Sequence, residues 1–173
     1  LAVAASTLGL SLSQVANAAF IEDSKASVGA RNFYCNRAFR QEGGNSSNGQ
    51  SKAEEWAQGF ILRAESGYTE GTVGFGLDAI GMLGFKLDSG DGTAGTGLLT
   101  PDRSGGSQDY SSDLAVAAKA KISKSVLKVG SMQYKNMAIA SSDSRLTPQV
   151  FSGGQLVSQE IEGLTLDAAR IRE

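Results

Sequence analysis

The clearest pattern in the chain is an alternation of apolar and polar positions in TVGFGLDAIGMLGFKLDSG, residues 72–90. Nearly every second position from Val73 to Leu87 is apolar, whereas the positions between them are rich in glycine and include Asp78 and Lys86. A period of two is the pattern of a β-strand with different surroundings on its two faces. Because this stretch is far longer than a typical strand of about 5–6 residues, it predicts an unusually long strand.

Other parts of the chain repeat this period, and none sustains the 3.6-residue period of a helix over more than two turns. The predicted strands are 26–39, 55–68, 72–90, 110–123, 126–134, 154–161 and 164–172. The chain is therefore predicted to be all-β, with about seven strands.

The connections between these strands alternate between long and short. Long polar stretches follow the first, third and fifth strands, whereas only 69–71, a tight turn around 124 and 162–163 follow the others. Transmembrane barrels of the outer membrane have short periplasmic turns and long external loops. A soluble barrel such as a lipocalin is the alternative, but its strands have ordinary lengths. Strand length and loop alternation together favour an antiparallel transmembrane barrel.

Composition removes several functions. The chain has 173 residues, no histidine, a single cysteine (Cys35) and a net charge of −2. Without histidine it has neither a Ser-His-Asp nor a Cys-His arrangement, and one cysteine forms no internal disulfide and no thiolate metal cage. We therefore expect no enzymatic activity, no cofactor, no metal and no nucleic-acid partner. The slightly negative mean hydropathy also argues against a helical membrane protein.

The N-terminus is predicted to direct export. Residues 1–15 are an uncharged run of small and apolar residues, and Ala16-Asn17-Ala18 fits the A-x-A cleavage pattern. A transmembrane helix is the alternative, but the run is too short and too rich in serine and alanine. Residues 1–18 are expected to be a signal peptide, and 19–173 the part that folds.

Several segments together resemble the OprD-like family of substrate-specific outer-membrane porins. They are AFIEDSKASVGARNFYCNRAFRQ, EEWAQGFILRAESGYTEGTVGFGLDAIGMLGFKLDSG, KISKSVLKVGSMQ, SRLTPQVFSGGQL and EIEGLTLDAARI. The resemblance implies a monomeric 18-stranded barrel in a Gram-negative outer membrane, in contact with its lipid, that passes small carboxylate-bearing nutrients such as amino acids, peptides or aromatic acids. It also implies that 19–173 is the N-terminal portion of one barrel domain, since family members are more than twice this length. The family usually has an aromatic or aliphatic residue where Cys35 stands.

Basic residues on the predicted inner faces form the first candidate site. A row of cations in a narrow wet pore would pass a carboxylate from one site to the next. The substrate-pathway candidates are Arg37, Arg31, Arg63, Lys86, Lys119 and Lys128. The resemblance singles out Arg37, in the motif FYCNR, as the first rung of the family's basic ladder. The simpler interpretation is that these charges only keep a water-facing surface wet.

The second candidate site is the long connection from Lys135 to Gly153. In the family the third long loop folds into the barrel and narrows it, which predicts a constriction formed by Ser142, Asp143, Ser144, Arg145 and Gln149. An ordinary external loop is the alternative. Ile80 and Met82 are apolar residues on the wet face of the longest strand, so we expect them to pack beneath this loop. We expect the glycines beside them to give it room.

The sequence therefore favours a passive, substrate-selective channel of the outer membrane. Two other classes remain open at this point. One is a secreted β-rich binding or adhesion module, and the other is an exported hydrolase whose catalytic residues lie outside this sequence. A barrel porin of full length is expected to remain in the outer-membrane fraction.

Overall fold

A single antiparallel sheet makes up the fold. The computed structural model describes residues 20–40, 49–89, 93–136 and 140–172, so the predicted signal peptide 1–18 lies outside the described residues. Each strand pairs with the next one in the chain. The strands are β1 (Lys25–Ala38), β2 (Lys52–Glu65), β3 (Gly74–Asp88), β4 (Tyr110–Ile122), β5 (Ser125–Met132), β6 (Phe151–Ser158) and β7 (Leu166–Arg172). The all-β prediction with seven strands is confirmed. Among the described residues, no helix is long and apolar enough to cross a membrane.

Two strands lie three residues earlier in the chain than predicted. β2 and β6 begin at 52 and 151 instead of 55 and 154, and they end at 65 and 158 instead of 68 and 161. In β2 the backbone pairing with β1 extends to Lys52, which lies opposite Ala38. Lys52 and Glu54 are polar, so the hydrophobic pattern did not identify these positions as part of a strand. Charge at a strand end therefore concealed a true strand position from the hydrophobic pattern.

The alternation seen in the sequence corresponds to two physically different faces. On the outer face, large apolar side chains such as Phe75 and Leu77 are exposed, at 59% and 53%. On the inner face, Ile61 and Ala115 are each only 1% exposed, although the described strands form a single sheet. The inner face must therefore be covered by the connections between strands.

The sheet is curved, with its inner face concave. Arg63 of β2 donates from Nε and Nη2 to Gln133 Oε1, just beyond β5, at 3.3 and 3.2 Å. β2 and β5 are separated by β3 and β4, and that separation is about 14 Å in a flat sheet at the usual spacing of about 4.8 Å. Two side chains meet across it because the sheet bends around them.

The connection between β2 and β3 differs from the prediction. We expected β2 to reach Tyr68 and a turn of only 69–71 to follow. Instead β2 ends at Glu65, and hydroxyl oxygens take the place of carbonyl acceptors beyond it: Leu77 N donates to Ser66 Oγ at 2.7 Å and Phe75 N donates to Thr69 Oγ1 at 2.9 Å. A Cβ on Gly76 would lie 2.7 Å from Gly67 O. The glycine therefore lets this connection lie against the inner face of β3.

Short turns meet at one end of the sheet, which we call the short-connection end. The β4–β5 turn places Ser123 at a positive φ of 53°. Glu160, from the β6–β7 connection, accepts hydrogen bonds from Ser123 Oγ, Lys124 N and Ser125 Oγ. The hydrogen bonds from Ser125 and Ser123 lower the pKa of Glu160 below its ordinary value. The carboxylate thus joins two turns that are distant in sequence.

Gly130 gives a direct test of the β4–β5 pairing. Its φ is +136°, and an added Cβ would lie 2.3 Å from Val116 O. Gly130→Ala in the full-length protein is expected to destabilise the fold by about 1–3 kcal/mol through backbone strain, seen as a lower temperature for loss of the compact band on a gel. Gly81→Ala is the matched control, because its Cβ would meet only Leu62 Cβ, at 3.8 Å. Equal melting of the two variants would contradict this packing.

Candidate functional site

The described part of the connection between β5 and β6 folds onto the inner face of the sheet, and we call residues 133–136 and 140–150 the inward segment. Arg31 of β1 anchors it. The Arg31 guanidinium lies 2.8 Å from Asp143 Oδ1 and donates from Nη1 to the carbonyl of Arg145 at 3.0 Å. One arginine thus contacts both a side chain and the backbone of the segment. Such charge-assisted contacts are stronger than neutral hydrogen bonds. They therefore hold the inward segment against the inner face of the sheet, which we call the wall.

Leu146 is the apolar anchor of the inward segment. It is 2% exposed and lies in a cluster with Ala57 and Leu99. A Cβ on Gly59 would lie 2.9 Å from Leu146 Cγ, and a Cβ on Gly84 would lie 3.0 Å from Leu146 Cδ2. These two glycines are directly paired across β2 and β3. Because neither glycine has a side chain, the two positions leave a depression on the inner face of the sheet, which we call the seat of Leu146. The Leu146 side chain fills this depression.

Three of the predicted constriction residues brace the inward segment internally. Gln149 N donates to Ser142 O at 2.9 Å, and Ser142 N donates to Gln149 Oε1 at 3.3 Å. The hydroxyls of Ser142 and Ser144 lie 3.1 Å apart. The structure therefore places Ser142, Ser144 and Gln149 in one compact turn, next to the arginine contact made by Asp143.

A second connection reaches the same place. We call residues 93–109, between β3 and β4, the cover segment. Arg145 Nη1 donates to Gly97 O at 3.1 Å, and Leu98 packs against the cluster that contains Leu99 and Leu146. The inward segment therefore rests on the wall on one side and on the cover segment on another.

Two basic candidates of the inner face, Lys119 and Lys128, are held by nearby oxygens. Asp78 of β3 lies 2.6 Å from Lys119 Nζ and 2.7 Å from Lys128 Nζ. Lys119 also donates to Ser66 O at 2.7 Å and lies over the ring of Tyr68, 4.9 Å from its centroid. The three charges leave a net charge of +1 within the group. Lys119 and Lys128 line a cavity of about 570 Å³ near the short-connection end.

Two more candidates, Lys86 and Arg63, also have partners. Lys86 Nζ lies 2.5 Å from Asp109 Oδ1 and donates to Ser107 O at 3.0 Å. Arg63 binds the amide oxygen of Gln133, as described above. These contacts tie connecting segments to the wall, so the cations serve the packing of the inner face.

Arg37 stands apart from these cations. It lies opposite Ala53 in β2, on the same face as Arg31, and is exposed. Within residues 20–40, 49–89, 93–136 and 140–172, its guanidinium has no hydrogen bond and no ion pair. It is therefore the basic candidate whose guanidinium is best placed to accept a new anionic partner.

The wet-face residues of β3 behave in two ways. Gly84 receives the inward segment as expected, but Gly74 and Gly76 contact the β2–β3 connection instead. Met82 is 3% exposed and lies two residues from Gly84, and Ile80 is half-buried. Met82 is paired with Ile61, which is also buried. That Ile80 and Met82 pack beneath the inward segment stays a prediction.

Sequence reasoning missed three residues that organise this surface. Glu55 is 1% exposed and binds the cover segment, Leu146 fills the glycine seat, and Tyr134 is 2% exposed. Tyr134 OH donates to Asp167 Oδ1 at 3.1 Å, and burial together with Asp167 raises the pKa of Tyr134 above its ordinary value. The sequence contains two signals that could have identified such residues: Leu146 is a single leucine in a polar loop, and Glu55 is an acid within a strand.

The fold and this inner surface define a class of protein. A curved antiparallel sheet that presents apolar side chains outward, and charged groups and folded-in connections inward, is the wall of an outer-membrane channel. Residues 18–173 match the family model described as outer membrane porin, OprD family. The chain belongs to the OprD family of outer membrane porins, which are proteins of the bacterial outer membrane.

Two curated relatives agree with this assignment. The chain is 43% identical over 154 residues to the porin-like protein GalP of Pseudomonas putida, covering 89% of this chain and 36% of that protein. It is 44% identical over 154 residues to Porin D of Pseudomonas aeruginosa, covering 89% of this chain and 33% of that protein. The chain thus spans about a third of the length of these relatives.

Solved structures show the same fold. Pseudomonas aeruginosa OccK9 (OpdG) is 49% identical with a TM-score of 0.82, over 88% of this chain and 38% of that one. The structure of P. aeruginosa OpdK with vanillate is 43% identical with a TM-score of 0.77, over 88% and 37%. The structure of P. aeruginosa OccK2 (OpdF) in complex with glucuronate is 44% identical with a TM-score of 0.69, over 88% and 34%.

Asp78 offers a test of the inner-wall charges. Asp78→Asn leaves Lys119, whose side chain is 6% exposed, without an acid, so we expect a loss of about 3 kcal/mol of stability and a lower melting temperature of the folded barrel. Asp113→Asn also removes one negative charge, but Asp113 is exposed and, among the described residues, accepts a hydrogen bond only from the neighbouring amide of Leu114. An equal effect of the two variants would show that the lysine contacts contribute nothing.

Proposed function

We propose that the full-length protein is a passive channel that selects small carboxylate-bearing solutes by pairing them transiently with arginine and lysine on its inner wall. A solute that loses part of its hydration in a narrow pore is stabilised there by fixed opposite charge. The observation that carries the proposal is Arg37, an exposed guanidinium on the inner face with no partner among the described residues.

The neighbourhood of Arg37 supports this role. Arg31 lies six positions along the same strand face, where it meets Asp143 and the backbone of Arg145 at the inward segment. A solute carboxylate that reaches Arg37 therefore has a second arginine and the constriction region ahead of it. In this proposal Lys86, Lys119 and Lys128 act through the positive potential of the wall, since acids hold their ammonium groups.

The chemistry of two similar proteins favours the same class of solute. OpdK was crystallised with vanillate and OccK2 with glucuronate, and both molecules carry a carboxylate. The likeness extends over 88% of this chain, and the family model matches residues 18–173, which include both the strand of Arg37 and the inward segment.

We also propose that this chain is the N-terminal part of a larger barrel. β1 and β7 are the edges of the sheet, and unpaired strand edges are not tolerated in lipid. Further strands that close the sheet would give the 18-stranded monomeric barrel that the resemblance implies. Transport experiments therefore require the full-length protein.

Liposome swelling tests the proposed selectivity. Full-length protein is reconstituted, and the uptake of glucuronate is compared with that of glucose, a neutral sugar of similar size. Arg37→Gln is expected to lower glucuronate uptake several-fold and to leave glucose uptake unchanged, because only the carboxylate interacts with the guanidinium. Arg170→Gln is the matched control, since Arg170 lies on the opposite face from Asp167, which points inward to Tyr134. An unchanged ratio for Arg37→Gln would remove this residue from the pathway.

A further inference from the structure

Glu55 is a buried carboxylate that transport as proposed above does not use. It lies in β2 between Ala53 and Ala57 and opposite Cys35 of β1. Its side chain belongs to the inner face and the residue is 1% exposed. Burial of a charge is costly unless hydrogen bonds compensate it, so its partners decide what it does.

Among the described residues, the hydrogen-bond donors to this carboxylate all come from the cover segment. Oε2 accepts from the hydroxyl of Thr96 and from Leu98 N at 3.3 Å. Oε1 accepts from the hydroxyl of Ser107 and from Gly95 N at 3.4 Å. Within the described part of the chain, no lysine or arginine forms an ion pair with Glu55. The carboxylate therefore holds both ends of the segment through fixed dipoles.

The cover segment passes this restraint on to the inward segment. Gly97 lies between the Thr96 and Leu98 donors, and its carbonyl accepts from Arg145 Nη1 at 3.1 Å. The φ of Gly97 is +80°, and an added Cβ would lie 3.3 Å from the same nitrogen. Leu98, which donates to Glu55 through its amide, packs with its side chain on the cluster of Ala57, Leu99 and Leu146. A polar and an apolar contact thus connect the two segments.

We propose that Glu55 is a positioning residue for solute selection: it fixes the cover segment as the support of the inward segment, and so sets where the Arg145 guanidinium stands. The narrow part of the pore is then built from two segments and not from the inward segment alone. This inference rests on the proposed channel function. It adds a residue that never touches the solute.

The first experiment measures the coupling without transport. Hydrogen exchange is followed by mass spectrometry in full-length wild type, Glu55→Ala and Glu54→Gln, using peptides from 93–109 and from 140–150. Glu55→Ala is expected to raise exchange in both regions. Glu54→Gln is the matched control, because Glu54 is the adjacent acid and its carboxylate contacts Tyr34 and Lys52 among the described residues instead of the cover segment. Faster exchange confined to 93–109, or no change, overturns the coupling.

The second experiment measures selectivity. Glu55→Ala is expected to lower the glucuronate-to-glucose uptake ratio several-fold and to raise open-channel current noise in planar bilayers, whereas Glu54→Gln behaves as wild type. Glu55→Gln keeps one oxygen acceptor in the same shape, so it is expected to recover part of the ratio. A ratio in Glu55→Ala equal to that of wild type overturns the proposal.

Variants on the segment side cover the case in which Glu55→Ala fails to fold. Thr96→Val with Ser107→Ala removes both hydroxyl donors and leaves β2 intact, and it is expected to raise exchange in 140–150 and to lower the uptake ratio. Adding Arg145→Gln to these changes is expected to cause no further loss, since residues that act through one another are not additive. Fully additive losses contradict the inference. A wild-type protein that conducts no solute contradicts the proposed function instead, while the exchange result still decides the coupling.

Discussion

A strand side chain has only two directions in which to point, and the rest of this structure depends on that constraint. In lipid backbone groups must be satisfied by internal hydrogen bonds, and each strand pairs with its neighbours in the chain. The side chains of the strands therefore separate into an outer and an inner set. Phe75 and Leu77 face outward and are exposed. The side chains of the inner set, which include Arg31, Asp78 and Lys119, have to contact water, form ion pairs or be covered by other residues. The inner face has therefore become the place where connections fold in.

Glycine decides where those connections lie. Gly59 and Gly84 are paired across two strands, and together they seat Leu146 of the inward segment. Gly76 accepts the backbone of the β2–β3 connection. A wall without side chains at these points lets a segment approach the backbone directly, and charged anchors such as Arg31 then hold it in place. The apolar contact of Leu146 and the ionic contact of Arg31 therefore act together. Glu55 binds the cover segment, on which the inward segment rests.

The sequence predicts the wall better than it predicts what covers the wall. Alternation in β3 and β4 is local, so their faces and ends could be predicted to within a few residues. Lys52 and Glu54 concealed the start of β2 because polar residues at the exposed face look like a loop. The role of Glu55 could not be predicted, because its hydrogen-bond donors lie about forty residues away in the chain. They reach Glu55 only when the β3–β4 connection folds onto the inner face. Leu146 carries no local period at all, and its seat depends on two other strands. Long-range pairing of this kind has no signature within one segment.

Cross-linking tests the inward position of residues 140–150 most directly. In a Cys35→Ser background, Gly59→Cys and Leu146→Cys are introduced together into the full-length protein and oxidised mildly in membranes. The account predicts a disulfide in the folded protein, seen as a band whose mobility changes on reduction, because Leu146 lies against the position of the Gly59 Cβ. Gly81→Cys with Leu146→Cys, in which position 81 faces outward on the neighbouring strand, is predicted to remain unlinked. Absence of the 59–146 link in folded protein, or equal linking of the 81–146 pair, would contradict the account.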